Sequence, residues 1–268
     1  MRTLVLGGGA AKGYAHIGVI KYLEECGFTP ELIVGSSMGA LVGGFYASGF
    51  TVQEMIAMAN KIDLKMKHRL FPMQLSSQGL VQGKEVVDFL YGYLGKQQIQ
   101  KLPIKYAGVA MDLDRQCEIV IDKGDLVQAI RSSISIPVVF FPHQYYGHTF
   151  SDSGFINPIP VTAARSIGAT RIIAVNVLKQ ISFPSTRLKK KKAPSKKHSA
   201  WDVLFKTIEH AVSRLVDYQA THLENGVIIN INTGGVKLSD FEKATEAIVM
   251  GYKQAKKYHK EIKEFLRS

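Results

Sequence analysis

Gly35-Ser36-Ser37-Met38-Gly39 sets a serine at the centre of a G-x-S-x-G pattern, with an apolar run before it and a helical stretch after it. A strand that turns sharply into a helix holds such a hydroxyl out at the helix start, and side chains beside it would collide unless both flanks are glycine. Ser37 is therefore the expected nucleophile for acyl transfer, with Gly35 and Gly39 as its elbow. Ser36 is the rival hydroxyl, but it is off centre. A second cluster, Gly7-Gly8-Gly9-Ala10-Ala11-Lys12-Gly13, follows the first apolar run and opens the first helix. Backbone N–H groups converging on the positive end of a helix make an anion site. The cluster fits neither register of a dinucleotide fingerprint and lacks the Gly-Lys-Ser/Thr ending of a phosphate loop.

A serine hydroxyl needs a base. Eight histidines are present: His16, His68, His143, His148, His198, His210, His222 and His259. A triad in the order serine, acid, histidine would use His210, His222 or His259. His210 and His222 fall within an amphipathic stretch and His259 within a Lys-rich one, settings more typical of solvated or capping histidines. The other candidate is Asp152, in Phe150-Ser151-Asp152-Ser153-Gly154-Phe155-Ile156-Asn157-Pro158. Small residues follow this carboxylate, a pattern that in isolation more often marks a plain turn.

The elements that must position these groups alternate. Thr3–Leu6 reads as a strand, Lys12–Cys26 as a helix, Leu32–Val34 as a strand and Met38–Ser48 as a helix. Ile104–Met111, Glu118–Ile121, Arg171–Val177 and Val227–Ile231 read as further strands, and Leu126–Ser132, Asp202–Leu223 and Asp240–Leu266 as helices. Strand-helix alternation implies a parallel sheet with helices on both faces, an α/β fold whose ligands bind at the carboxyl ends of the strands. Between the second helix and the third strand, Thr51–Leu94 interleaves Met55, Met58, Met66, Met73, Leu70 and Phe71 with Lys65, Lys67, His68 and Arg69. Such a segment suits a lipid-tolerant cap, or ordinary amphipathic helices with methionines in the core.

Composition narrows the classes. At 268 residues with 46% hydrophobic and 21% charged, the chain can bury a sizeable core without metal or disulfide help. Cys26 and Cys117 form no metal-binding or disulfide pattern, so a reducing compartment is expected and a zinc site is not. The residues before Gly7 are too few for the apolar core of a leader, and Leu32–Phe50 is too interrupted by glycine to span a bilayer. The net charge of +12 is concentrated in Arg187, Lys189, Lys190, Lys191, Lys192, Lys196 and Lys197, a basic loop (185–198) ahead of a helical C-terminal part (201–268). This loop is expected to be solvated, with contact to an anionic membrane through Lys189, Lys190, Lys191 and Lys192 as its functional alternative.

Taken in order, Gly8-Gly9-Ala10-Ala11-Lys12-Gly13 with Ala15-His16-Ile17-Gly18-Val19, then Gly35-Ser36-Ser37-Met38-Gly39, then Arg131-Ser132-Ser133-Ile134-Ser135-Ile136-Pro137, then Asp152-Ser153-Gly154 with Asn157-Pro158-Ile159-Pro160, resemble the patatin-like phospholipases, specifically the bacterial branch akin to neuropathy target esterase. The resemblance runs from about Thr3 to Val177. It implies one three-layer α/β/α domain over 1–268 and a Ser/Asp dyad of Ser37 and Asp152 without histidine. It also implies an oxyanion hole from Gly8, Gly9 and Ala10, with Lys12 and Gly13 ordering that loop or meeting a phosphate. The chain departs from the family in having Ala10 for a third glycine, and Ser153 beside the base. The expected activity is lipid acyl hydrolysis without metal or organic cofactor, in the cytoplasm or at the inner membrane face. A soluble small-ester or thioester hydrolase with the same dyad is the alternative. A basic nucleic-acid-binding module is the reading from another class, motivated by charge but lacking any recognition motif.

Overall fold

A computed structural model describes residues 1–72, 81–178, 200–221, 223 and 225–267. Met73, Lys189, Lys190, Lys191, Lys192, His198 and His222 lie outside them. In chain order the elements are β1 (Arg2–Leu6), α1 (Ala15–Glu25), β2 (Leu32–Ser36), α2 (Met38–Ala47), α3 (Val52–Ala59), α4 (Leu64–Leu70), α5 (Lys84–Leu94), β3 (Lys105–Asp112) and β4 (Cys117–Ile121). Then follow α6 (Leu126–Ser133), β5 (His143–Tyr145), β6 (His148–Asp152), α7 (Val161–Ser166), β7 (Arg171–Asn176), α8 (Ala200–Thr221), β8 (Gly226–Asn230), α9 (Ala244–Ala255) and α10 (His259–Arg267).

Hydrogen-bonded neighbours in the sheet run β5-β6-β3-β2-β1-β7-β8, with β4 also on β3. The strands from β3 to β8 through β2, β1 and β7 are parallel, whereas β4, β5 and β6 pair antiparallel. Because strand side chains alternate, β1 sends Leu4 and Leu6 to one core and Val5 to the other. The larger core packs α1, α2, α6 and α9 on one face, and α7 with Val216 of α8 covers the opposite face. The fold is thus α/β in three layers around a mixed, mostly parallel sheet. Among the described residues no helix is long and apolar enough to cross a membrane.

Local chemistry sets the boundaries. The helix expected from Lys12 starts as a 3-10 turn, Ala10–Tyr14, because the Lys12 amide closes on the Gly9 carbonyl at 3.0 Å; the α-helix proper begins at Ala15. The single C-terminal helix expected over Asp240–Leu266 is two α-helices separated by a 3-10 turn at Lys256–Tyr258. In the cap, α3 begins at a capping box between Thr51 and Glu54, and Asp63 caps α4 through the Met66 amide. The β5-β6 hairpin turns at Tyr146 and Gly147, both at positive φ, as a tight two-residue connection requires.

Candidate active site

β2 ends at Ser36 and α2 begins at Met38, so Ser37 alone makes the turn, at φ 54° and ψ −125°. That backbone costs a non-glycine residue about 1–3 kcal/mol and persists only where neighbours over-determine it. Here they do. The Ser37 amide donates to Ser133 Oγ at 2.8 Å, and the Ser37 carbonyl accepts from the amides of Ala40 and Leu41. A Cβ on Gly35 would run into the Gly39 carbonyl oxygen, and one on Gly39 into the Leu6 carbonyl oxygen.

Pairing registers bring Asp152 to this turn. β2 runs parallel to β3 and ends with Ser36 opposite Val109; β6 runs antiparallel and ends with Asp152 opposite Ala110. β4 pairs across Gly108–Asp112, overlapping both, so β2 and β6 must share the other edge of β3. Their carboxyl ends therefore meet nose to nose. Serines hold the junction: Ser133 Oγ donates to the Val109 carbonyl at 2.6 Å, Ser153 Oγ to the same carbonyl at 3.1 Å, and Ser36 and Ser153 hydroxyls lie 3.1 Å apart. Ser153, expected to bear on the base, is thus turned to the backbone.

The Asp152 amide donates to the Ser135 carbonyl at 2.9 Å, and its carboxylate accepts the Gly154 amide at 2.7 Å, with Ser37 close enough to favour its charged form. Burial pushes its pKa up to about 6, against these two neighbours. A carboxylate so tuned is a stronger base than a solvated one and is still ionised at neutral pH.

In the glycine loop, the Gly7 amide donates to the Val175 carbonyl and the Gly8 amide to the Pro158 carbonyl at 2.9 Å. Gly8 is therefore corrected from oxyanion donor to spacer: its amide is engaged, while its α-carbon faces Ser37, whose Cβ would lie 3.4 Å from a Cβ there. Among the described residues the amides of Gly9 and Ala10 meet no acceptor. Ala10 sits at φ 45°, the left-handed region that explains a glycine preference at this position. Lys12 is buried at the base of the loop, and Gly13 lies so close to Met38 that a Cβ would overlap that side chain.

His16 escaped the search for a base and has a different task. Fully buried, it donates from Nε2 to the Gly7 carbonyl at 2.8 Å, while burial lowers its pKa to about 4. The neutral ring thus buttresses the loop, and its Nδ1 has no partner among the described residues. Of the late histidines, His210 is exposed on α8 and His259 Nδ1 hydrogen-bonds the Tyr22 hydroxyl at 2.7 Å; neither lines the cavity at Ser37. His148 does share a strand face with Asp152. It lies four residues away, about 13 Å along a strand, and its Nδ1 pairs with Asp112 at 2.6 Å.

Ser37 opens into an apolar cavity enclosing about 870 Å³ of empty space, open mouth included. Ala10, Met38 and Ile134 lie at its reactive end, and Met55, Met58, Leu70, Val86, Phe89 and Leu90 of α3–α5 line it further. Met55 and Met58 of the cap are therefore both core and cavity wall.

Known proteins are similar to this chain in sequence and in fold. Residues 4–165 match the family model described as patatin-like phospholipase. An uncharacterized NTE family protein of Mycobacterium tuberculosis is 38% identical over 175 residues, 65% of this chain and 48% of that protein. Lysophospholipase NTE1 of Candida albicans is 30% identical over 177 residues, again 65% of this chain but 13% of its own length. The chain thus spans about half the length, or far less, of these relatives. Among solved structures, VipD from Legionella pneumophila shares the fold at TM-score 0.52 and 13% identity, with 97% of this chain and 66% of that chain covered. With the family match extending over more than half of the residues, and the elbow, glycine loop and Asp152 all inside it, the chain belongs to the patatin-like phospholipases.

Proposed function

We propose that the protein is a lipid acyl hydrolase working through a Ser37–Asp152 dyad and an acyl-enzyme. The observation that supports this reading is the head-on meeting of β2 and β6, which brings the Ser37 turn and a buried carboxylate to one end of an apolar cavity. Asp152 takes the proton as Ser37 Oγ attacks the ester carbonyl. The free amides of Gly9 and Ala10 stabilise the developing oxyanion, each contributing about 3 kcal/mol. The alcohol leaves with the proton, and a water deprotonated by Asp152 releases the fatty acid. The acyl chain occupies the cavity between α2 and α3–α5, an environment that favours long apolar chains over short ones. The names of the relatives, a lysophospholipase among them, agree with a lipid ester as substrate.

The test uses the full chain with a serine-directed fluorophosphonate and an acyl-chain series of p-nitrophenyl esters. Ser37→Ala should abolish labelling, and both Ser37→Ala and Asp152→Asn should lower turnover by about 10³-fold or more, with non-additive loss in the double variant. His210→Gln and His259→Gln should keep most activity. A dead histidine variant beside an active Asp152→Asn would replace the dyad with a triad, and preference for the shortest esters would remove the lipid assignment.

A further inference from the structure

The short helix α4 has two unlike faces. Met66 and Leu70 turn inward, and Leu70 is part of the cavity wall. The outward arc, set by the 100° step of a helix, presents Leu64, His68, Lys65 and Arg69, all exposed, with Leu64 at 57%. Lys67 on the flank is paired with Glu242 at 3.1 Å, and Asp63 caps the helix through the Met66 amide at 2.7 Å. Lys65, His68 and Arg69 meet no carboxylate among the described residues.

We infer that this outer face docks the protein on an anionic phospholipid surface, setting the bilayer one helix thickness from the acyl cavity. Two observations converge on that partner. Unpaired cations in a row match a surface of phosphate-bearing headgroups, each adding attraction within a Debye length of the leaflet. A large apolar side chain standing among them is unfavourable in water and favourable in the acyl boundary, which distinguishes a lipid surface from a nucleic acid. Position supplies the rest: from its opposite face the same helix contributes Leu70 to the cavity wall. Lys65 and Arg69 act from the surface and touch neither the cavity nor the elbow. The choice of lipid as partner rests on the hydrolase reading, while the docking itself requires no turnover.

The experiment therefore uses the full chain carrying Ser37→Ala, sedimented with phosphatidylcholine vesicles containing or lacking phosphatidylglycerol. Association should require the anionic lipid and weaken with salt. Lys65→Gln with Arg69→Gln should lower it roughly thirtyfold, and Leu64→Ser about fivefold. Lys253→Gln with Lys257→Gln removes the same charge from the exposed C-terminal helices and should change it little. In the active protein, the Lys65/Arg69 variant should lose vesicle hydrolysis while soluble ester turnover persists. Equal loss from both charge pairs, or full binding by the Lys65/Arg69/Leu64 triple variant, would overturn the proposal. Failure of the hydrolase reading would appear separately, as absent ester turnover with vesicle binding intact.

Discussion

The two walls of the cavity are built by different means. Its reactive end is backbone: strand ends, glycine turns and serine hydroxyls hold Ser37 and Asp152 through main-chain hydrogen bonds. Its roof is side chain: α3–α5 present methionine, leucine and phenylalanine, and Phe71 stacks on Phe241 at 5.1 Å between ring centres. Backbone cannot shift by a few tenths of an ångström without moving a strand, so Ser37 and Asp152 stay in place. Side chains can repack, so under the proposed function the roof would accommodate different acyl chains. The chemistry should then be intolerant of single added atoms and the substrate range tolerant of them.

An enlarged side chain at each wall tests this most severely. Gly39→Ala adds a Cβ inside the Leu6 carbonyl oxygen and can be relieved only by separating α2 from β1. Loss of about 4 kcal/mol or more of stability is expected in denaturant melts, together with loss of fluorophosphonate labelling. Ala59→Leu adds three carbons to the roof, where neighbouring methionines can yield. It should cost about 1–2 kcal/mol and move the preferred ester to shorter chains while Ser37 still labels. If the roof variant abolished labelling, or the elbow variant retained it, the two walls would not differ as described.

Asp152→Asn sharpens the same contrast through stability. A carboxylate whose pKa is raised on folding costs stability once it is charged, so at pH 7 the buried Asp152 is a burden on the fold. The asparagine variant should be inactive yet about 2 kcal/mol more stable. Acidification adds a sign. Between about pH 4.5 and 6 folded Asp152 holds a proton that the unfolded chain releases, while unfolded His16 holds one that the folded chain excludes. In the wild type Asp152 offsets one of the two buried histidines, His16 and His143. In the variant the Asp152 contribution is gone while His16 and His143, both lowered to about 4 by burial, remain, so stability should fall more steeply with acid than in the wild type by about 1.4 kcal/mol per pH unit. Wild-type kcat/KM should rise through about pH 6 and level off. A destabilised variant at pH 7 would show that Asp152 is not held at a cost.

The parts of this site that sequence reading reaches are the local ones. Gly35, Ser37 and Gly39 declare an elbow because the turn constrains residues next to one another, and the apolar runs at Thr3–Leu6 and Leu32–Val34 declare buried parallel strands. Asp152 taken alone reads more readily as a turn residue. What brings it to Ser37 is the pairing of β6 on the edge of β3 that β2 vacates, a relation between segments far apart in the chain. The β5-β6 hairpin gives little warning of itself: His143-Gln144-Tyr145 and His148-Thr149 are polar and partly exposed, with no apolar alternation to mark a strand. Gly8 was misassigned for a related reason, since residue type cannot tell whether an amide is already bonded to a distant carbonyl. Ser133 and His16 lay within recognisable blocks, but a serine or histidine that props a backbone has no spacing signal of its own.

The smallest effect is expected at Ala10, where the reactive end carries strain that a glycine would release. Replacing alanine by glycine in an ordinary turn loosens the unfolded chain and costs about 0.4–1 kcal/mol. At φ 45° the native alanine is already disfavoured by about 1–2 kcal/mol, because its Cβ crowds the following carbonyl. The two nearly cancel, so Ala10→Gly should leave the denaturation midpoint unchanged or slightly raised. Its amide stays where it was, so the oxyanion contribution survives if Gly9 and the buttressed Gly7 carbonyl hold the loop's path. Turnover within about threefold of the wild type is then expected, with the change in kcat and little in KM. A drop of a hundredfold would mean that the alanine Cβ, and not the loop's hydrogen bonds, keeps the Ala10 amide aimed at the oxyanion.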